Sequence, residues 1–233
     1  MKNYVIINGV NSNTITGLAI NELPPISKPL MRTYIEEIDG RDGDLVTKLG
    51  YGAYDKVMTI GLYHTYDIDQ VIAFFNGSGT IVFSNEPTKL YNFEILEQID
   101  YESLIKFRTA TITIHCQPFK YPISETPINL SVGDNTITNS GNIYSKPLLT
   151  ITGTGTITIS LGGNQIFSID MTGITTIAID TTLMEAYDPN TGTLLNRHVT
   201  GDYSKLYLDK GNNTLNIGGT ITSATITHVS RWL

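Results

Sequence analysis

The sequence predicts a mainly β protein built as two domains, and three observations carry that reading. Of its 233 residues 40% are hydrophobic and only 16% charged, with Thr, Ile, Gly and Asn abundant. This is the profile of strands and turns rather than of long amphipathic helices. Pro118, Pro122 and Pro127 crowd one short stretch, which reads as a stiff, helix-excluding connector. Beyond it, turn signals such as "GDN", "NSGN", "TGTG", "GGN", "NTG", "KGNN" and "GGT" recur at short intervals, as in a sandwich of antiparallel strands. The expected organisation is an N-terminal β domain with one short helix over 1–120, a Pro-rich connector over 121–130, and an antiparallel β-sandwich over 131–233.

Taken in order, "YVIING" (Tyr4 to Gly9) reads as a first strand, and "NELPPISKPL" follows with Pro24, Pro25 and Pro29. Prolines cannot donate to a central ladder, so this stretch is a linker or an edge. Alternation resumes from Leu30 to Ile38, and Lys56 to Tyr66 forms a strong strand with apolar residues on both faces, as between two packed layers. The helix lies near 68–76: Ile68, Val71, Ile72 and Phe75 share one face, Asp67 caps the start, and Gly77 takes the left-handed end. Strands are expected at Thr80–Ser84, Leu90–Asp100 and Ser103–Phe119, the last two joined by a tight turn near Tyr101 and Glu102. The apolar parity changes between Ile105/Phe107 and Ile112/Ile114, which predicts a β-bulge between Arg108 and Thr111.

In the C-terminal half, Thr150, Thr152, Thr156, Thr158 and Ser160 share one parity, and Ile151, Ile157, Ile159 and Leu161 the other. One face is therefore buried, and the glycines of "TGTG" and "GGN" predict two hairpins. No fixed repeat period persists through this half, which argues against a solenoid.

Several functions are excluded on composition. The formal charge of −7 comes without any Lys/Arg cluster, so phosphate-backbone binding and specific nucleic-acid recognition are not expected. Cys116 is the only cysteine, which rules out an intrachain disulfide and leaves a zinc site dependent on scattered histidines and carboxylates. No apolar run approaches the roughly 20 residues of a membrane span, and the start lacks the features of a signal peptide. The chain is expected to be made and kept in the cytoplasm, unless it leaves within a larger particle.

The stretch "EEIDGRDGDLVTKLG" (Glu36 to Gly50) invites a calcium-loop reading. Counted from Asp39, however, position 3 is Arg41, position 5 is Gly43 and position 12 is Gly50. An EF-hand needs oxygen ligands at all three places. Gly40, Arg41, Asp42 and Gly43 instead suit a β-hairpin turn. Glu36, Glu37, Glu94 and Glu97 are the carboxylates from which a glycosidase pair would have to come, but Glu36 and Glu37 face opposite sides of a strand. His64, His115, His198 and His228 show no ligand spacing, and no nucleophile signature surrounds any of them. "GSGT" after the helix stops it rather than cradling phosphate. No enzyme activity, cofactor or metal is expected. The 13 tyrosines against one Trp leave a different possibility open: Tyr187, Tyr203, Tyr207 and Trp232 in the sandwich half offer a surface for a glycan or a partner protein. On that alternative reading the chain is a carbohydrate-binding module protein.

Several segments, in this order, resemble the distal tail (Dit) proteins of siphophages. They are "INGVNS", "GRDGDL", "IDQVIAFFNGSG", "TNSGNIYSKPLLTITGTGTITISLGG", "TTLMEAYDPNTG", "GDYSKLYLDKGNNTLNIGG" and the closing "SRWL". The resemblance implies a virion protein located at the tail tip, with an N-terminal β domain that closes a hexameric ring and a C-terminal galectin-like sandwich. It implies as partners other copies of the chain, the tail tube protein, a tail-associated hub or fibre protein, and in some members a receptor-binding protein or host glycan. No membrane insertion is implied. No insertion long enough for a receptor-binding arm is seen in the C-terminal half.

Overall fold

The structure is a computed structural model describing residues 2–233. It is mainly β, and the chain divides into two compact units, one up to Ile123 and one spanning Ser124–Trp232.

The first unit contains β1 (Val5–Ile7), β2 (Val10–Asn11), β3 (Leu18–Glu22), β4 (Met31–Glu37), β5 (Asp44–Tyr51), β6 (Tyr54–Leu62), α1 (Ile68–Phe74), β7 (Ser78–Phe83), β8 (Lys89–Glu94), α2 (Tyr101–Phe107) and β9 (Thr109–Pro122). Seven of these strands form one antiparallel sheet in the order β2-β1-β7-β8-β9-β6-β3. Alternate residues point into the core: Met58, Ile60 and Leu62 from β6, Ile81 and Phe83 from β7, Tyr91 and Phe93 from β8, and Ile112, Ile114 and Cys116 from β9. Period-two burial of this kind is what an apolar/polar alternation dictates. Val71 and Phe74 of α1 and Leu104 of α2 pack on the same core.

α1 starts as expected, with the Asp67 carboxylate accepting from the Asp69 and Gln70 backbone amides at 3.1 and 3.2 Å. Its buried face differs, because Ile72 is exposed and Phe74 takes the core position. The expected long strands at 90–100 and 103–119 are corrected. β8 ends at Glu94, and Tyr101–Phe107 is a helix capped by Asp100, whose carboxylate accepts from the Ser103 amide at 2.9 Å. No bulge causes the parity change. The helix ends on Arg108 in the left-handed conformation (φ 60°), and β9 begins one residue later with a fresh register. β6 is also not packed on both faces in the protein alone, since Val57 lies half exposed on its outer side.

The second unit holds β10 (Ile128–Leu130), β11 (Gly133–Asn139), β12 (Leu148–Leu161), β13 (Asn164–Asp170), β14 (Thr176–Asp180), β15 (Glu185–Tyr187), β16 (Val199–Gly201) and β17 (Gly211–Thr227). The eight strands form one hydrogen-bonded sheet that branches at β12 and β17, which pair along much of their length. The first half of β12 pairs with β14, which carries β15, while the second half pairs with β13, which carries β16. Likewise the first part of β17 pairs with β11 and the last with β10. Ile151, Ile157, Ile159, Leu215, Ile217 and Ile226 fill the space between the layers.

Only "GGN" forms a hairpin, with Leu161 opposite Asn164. The expected hairpin at "TGTG" is instead a bend inside β12, and "GGT" is a bend inside β17. The reason is close approach: a Cβ on Gly153 would lie 2.4 Å from the Thr220 carbonyl oxygen, and one on Gly219 2.5 Å from that of Thr156. Glycine at a corner lets two strands cross between layers together.

Candidate functional site

The most unusual feature of the first unit is an arm. β4 and β5 pair only with each other, from Met31 opposite Tyr51 to Glu37 opposite Asp44, and join neither large sheet. Ile35 and Val46 face each other across the pair, each more than half exposed at 56% and 52%. Tyr34 and Leu49 are exposed to a similar degree. A lone two-stranded hairpin is marginally stable in water, and an exposed apolar edge is a template for pairing with another chain. The register shifts between Arg32 and Thr33, opposite Lys48 to Gly50, a bulge that adds local twist.

The tip of the arm is the "DGRDGD" loop. The Arg41 amide donates to the Ile38 carbonyl at 3.1 Å, with Gly40 third in the turn at φ 80°. A type II turn needs that positive φ. Gly43 is also left-handed (φ 79°), and nothing stands within 4 Å of where a Cβ on Gly40 or Gly43 would be. Arg41 and Asp42 are exposed between them. The loop spreads into solvent rather than wrapping a point.

The root of the arm is fastened by two polar side chains, the exposed Asn85 and the buried Lys56. Pro24, Pro25 and Pro29 have no amide to give a ladder, but the Pro24 and Pro25 carbonyls still accept, and side chains supply the donors. The Asn85 amide donates to the Pro24 carbonyl at 2.9 Å, and the Lys56 ammonium to the Pro25 carbonyl at 2.9 Å. The Gly52 amide donates to the Leu30 carbonyl at 2.9 Å, closing the base. Tyr51 packs edge-on against Phe119 at 5.8 Å, with the Lys28 ammonium over its ring.

Lys56 is only 3% exposed, and its ammonium lies 5.3, 5.7 and 5.0 Å from the ring centres of Tyr54, Phe83 and Tyr91. A cation caged by aromatic faces recovers part of its lost hydration through the ring quadrupoles. Next to it Lys120 pairs with Glu86 at 2.8 Å, and the Tyr91 hydroxyl also donates to Glu86. Burial pushes the Lys56 pKa below the usual lysine range, with Lys120 adding to the effect against the opposing pull of Cys116 and Glu86. Burial pushes Tyr54 up to about 12, helped by Cys116 and Glu86. Burial also raises the Cys116 thiol to about 12, so it is an inert core group. None of Lys56, Asn85, Glu86 or Lys120 was singled out from the sequence. The signal was present: Lys56 shares the inward parity of Met58 and Ile60, where a lysine has to be paired.

The tyrosines of the second unit separate into two groups. Tyr203 and Tyr207 converge with Tyr144, which sequence reasoning passed over, around a depression of about 370 Å³ that Lys146 and Met184 also line. Tyr203 packs edge-on against Phe167 at 5.1 Å and donates its hydroxyl to the Asn196 side chain at 3.2 Å. Burial raises its pKa, with Glu185 contributing. Tyr187 sits on β15 opposite Ala178, and Trp232 lies half-buried near the end of the chain. Neither lines this depression.

The remaining candidates are dispersed. Glu36 and Glu37 are on the arm, Glu94 ends β8, and Glu97 is in the following loop, all exposed. Among the described residues no three of His, Cys, Asp and Glu gather where they could hold a metal. His64 is exposed, His115 pairs with Asp55 at 2.7 Å, and His198 bonds the Asp170 carbonyl at 2.8 Å. His228 is buried 3.5 Å from Glu125, which accepts from both the hydroxyl and the amide of Ser230 at 2.8 Å. This is not the order of a catalytic triad, because the serine hydroxyl is spent on the carboxylate and not on the imidazole.

No protein-family model matches the chain, and no curated protein matches it in sequence. Among solved structures it is similar to the Dit protein (gp 19.1) of SPP1, described as a paradigm of the hub adsorption apparatus in phages that infect Gram-positive bacteria. The TM-score is 0.73 at 14% identity, covering 100% of both chains. The two proteins share a fold from end to end.

Proposed function

We propose that this chain is a structural distal tail protein of a siphophage or prophage, without catalytic activity. In this reading it forms a hexameric ring at the virion tail tip, between the tail tube protein and a tail-associated hub or fibre protein. The observation that carries the proposal is the β4–β5 arm. It is a long hairpin whose apolar residues Tyr34, Ile35, Val46 and Leu49 have no cover of their own, anchored at its root, in a fold that matches a hub protein over its whole length. A ring uses one patch on each copy against a different patch on the next, and an arm reaching to its neighbour is that kind of contact. The second unit is then free to project outward as a galectin-like sandwich. With a charge of −7 and no basic cluster, a channel at the centre would let DNA pass without gripping it.

Light scattering and negative-stain imaging of the purified chain, alone and mixed with its tail tube and hub proteins, test this. The expected result is a six-fold ring with a central hole. Replacing residues 32–50 by a short Gly/Ser linker should abolish the ring and leave the folded core intact. A chain that stays monomeric in all these mixtures, or rings that persist without the arm, would refute it.

A further inference from the structure

The depression lined by Tyr144, Tyr203 and Tyr207 has a neighbour. On the other side of Tyr207 lies a second groove of about 810 Å³, bordered by Asn164, Gln165, Lys205, Asp209 and Asn212. Tyr207 lines both. Its ring meets Tyr144 edge-on at 6.0 Å and 75°, and the Arg231 guanidinium lies over the Tyr144 face at 4.7 Å while donating to the Tyr144 carbonyl. Tyr144 is thus clamped and in turn steadies Tyr207, which remains 40% exposed. A pre-positioned aromatic ring loses little freedom when a ligand stacks on it.

The two grooves differ in chemistry. The first is predominantly aromatic and apolar, with Met184 and Leu206 beside the rings. The second is polar: exposed amides of Asn164 and Gln165 at the β12–β13 hairpin, the Asp209 carboxylate and the Lys205 ammonium. The Asn212 side-chain oxygen already accepts from the Thr138 hydroxyl at 2.8 Å, which leaves its NH₂ pointing a donor elsewhere. A ligand spanning both must offer an apolar face to Tyr207 and closely spaced hydroxyls to the amides. A pyranose does both at once. A lipid tail would find the second groove polar, and the mixed Lys205 and Asp209 charges favour a neutral ligand over an anionic one.

We propose that this pair of grooves is a binding site for a neutral oligosaccharide, with Tyr207 as the stacking platform between two subsites. The site does not depend on ring formation, and either reading can fail without the other.

Saturation-transfer difference NMR on the full chain, with maltotriose, cellotriose, chitotriose and lactose each at millimolar concentration, tests it. At least one sugar is expected to receive saturation. Tyr207→Ala should weaken that sugar by about tenfold, the loss of one stacked ring, while Tyr207→Phe retains it. Gln165→Ala, an exposed change that leaves the core untouched, should also weaken it, and Tyr187→Ala should not. Silence from all four sugars would overturn the proposal. So would binding that survives both Tyr207→Ala and Gln165→Ala.

Discussion

Replacing Lys56 by Met separates the anchoring of the arm from the stability of the core. In the native protein the buried ammonium has the Pro25 carbonyl at 2.9 Å and three aromatic rings around it. Met keeps most of the stem and makes sulfur–aromatic contacts of about 0.3–1.5 kcal/mol. It forfeits a charge-assisted hydrogen bond of about 1.5–3 kcal/mol and cation–π attraction of about 2 kcal/mol. Against this, it relieves several kcal/mol of desolvation and the repulsion from nearby Lys120. These terms largely cancel, so global stability should change by no more than about 2 kcal/mol, a few degrees in Tm. The local effect does not cancel. The Pro25 carbonyl loses its donor, and the segment leading into the arm is released by about 1.5–3 kcal/mol, which is about ten- to hundredfold in an opening equilibrium. Hydrogen exchange reads this at the Gly52 amide, which donates to the Leu30 carbonyl at the base. Its exchange should accelerate by that factor while the amides of Ile112 and Ile114 hold their rates. A fall in Tm of more than about 10 °C with Gly52 unchanged would refute the reasoning and make Lys56 a packing residue.

Other outcomes follow from the same structure. Tyr54→Phe should flatten the alkaline limb of the stability curve. The native phenol keeps its proton up to about 12, whereas the unfolded one releases it near 10. The native state therefore binds more protons between those values, and stability falls as pH rises through them. Urea titrations of the wild type and variant at pH 9 and pH 11 compare the two limbs. Gly219→Ala places a Cβ 2.5 Å from the Thr156 carbonyl oxygen at φ 104° and should cost roughly 2–4 kcal/mol, read by urea unfolding. Asp67→Ala removes the cap of α1 and should cost about 1 kcal/mol, read in the same way.

Much of the fold was legible in the sequence, wherever local chemistry and burial agreed. α1 announced itself because Asp67 marks its start and Val71 its buried face, but it stops at Phe74 with Phe75 as the cap, two residues short of the expected glycine. α2 was missed although Asp100, Ser103 and Arg108 hold its start and stop. The helix is under two turns long, and its Ile105 and Phe107 are exposed, so their spacing imitates a strand. The bends in β12 and β17 were mistaken for turns because a glycine demanded by a facing backbone looks, in one dimension, like a glycine demanded by a reversal. The cage around Lys56 draws on positions 54, 83 and 91, which only the β6-β9-β8-β7 strand order brings together. Tyr203 and Tyr207 were visible as candidates. Tyr144 was not, because what makes it relevant is its edge contact with Tyr207 across the unit.

The sharing of β12 and β17 between both layers of the second unit has a mechanical consequence. In a sandwich whose sheets are joined only by loops, tension applied to one sheet reaches the other through side-chain packing, which slides or peels. Here two continuous backbones run from one layer into the other, so a pull at either end passes along covalent chain. Separating one layer from the other then requires breaking the long β12–β17 ladder that both layers share. A pull on the two ends of the unit first unzips β10 from β17, where Ile128 and Ile226 face each other, and the layers beyond should then open together, with no intermediate in which one layer has come away.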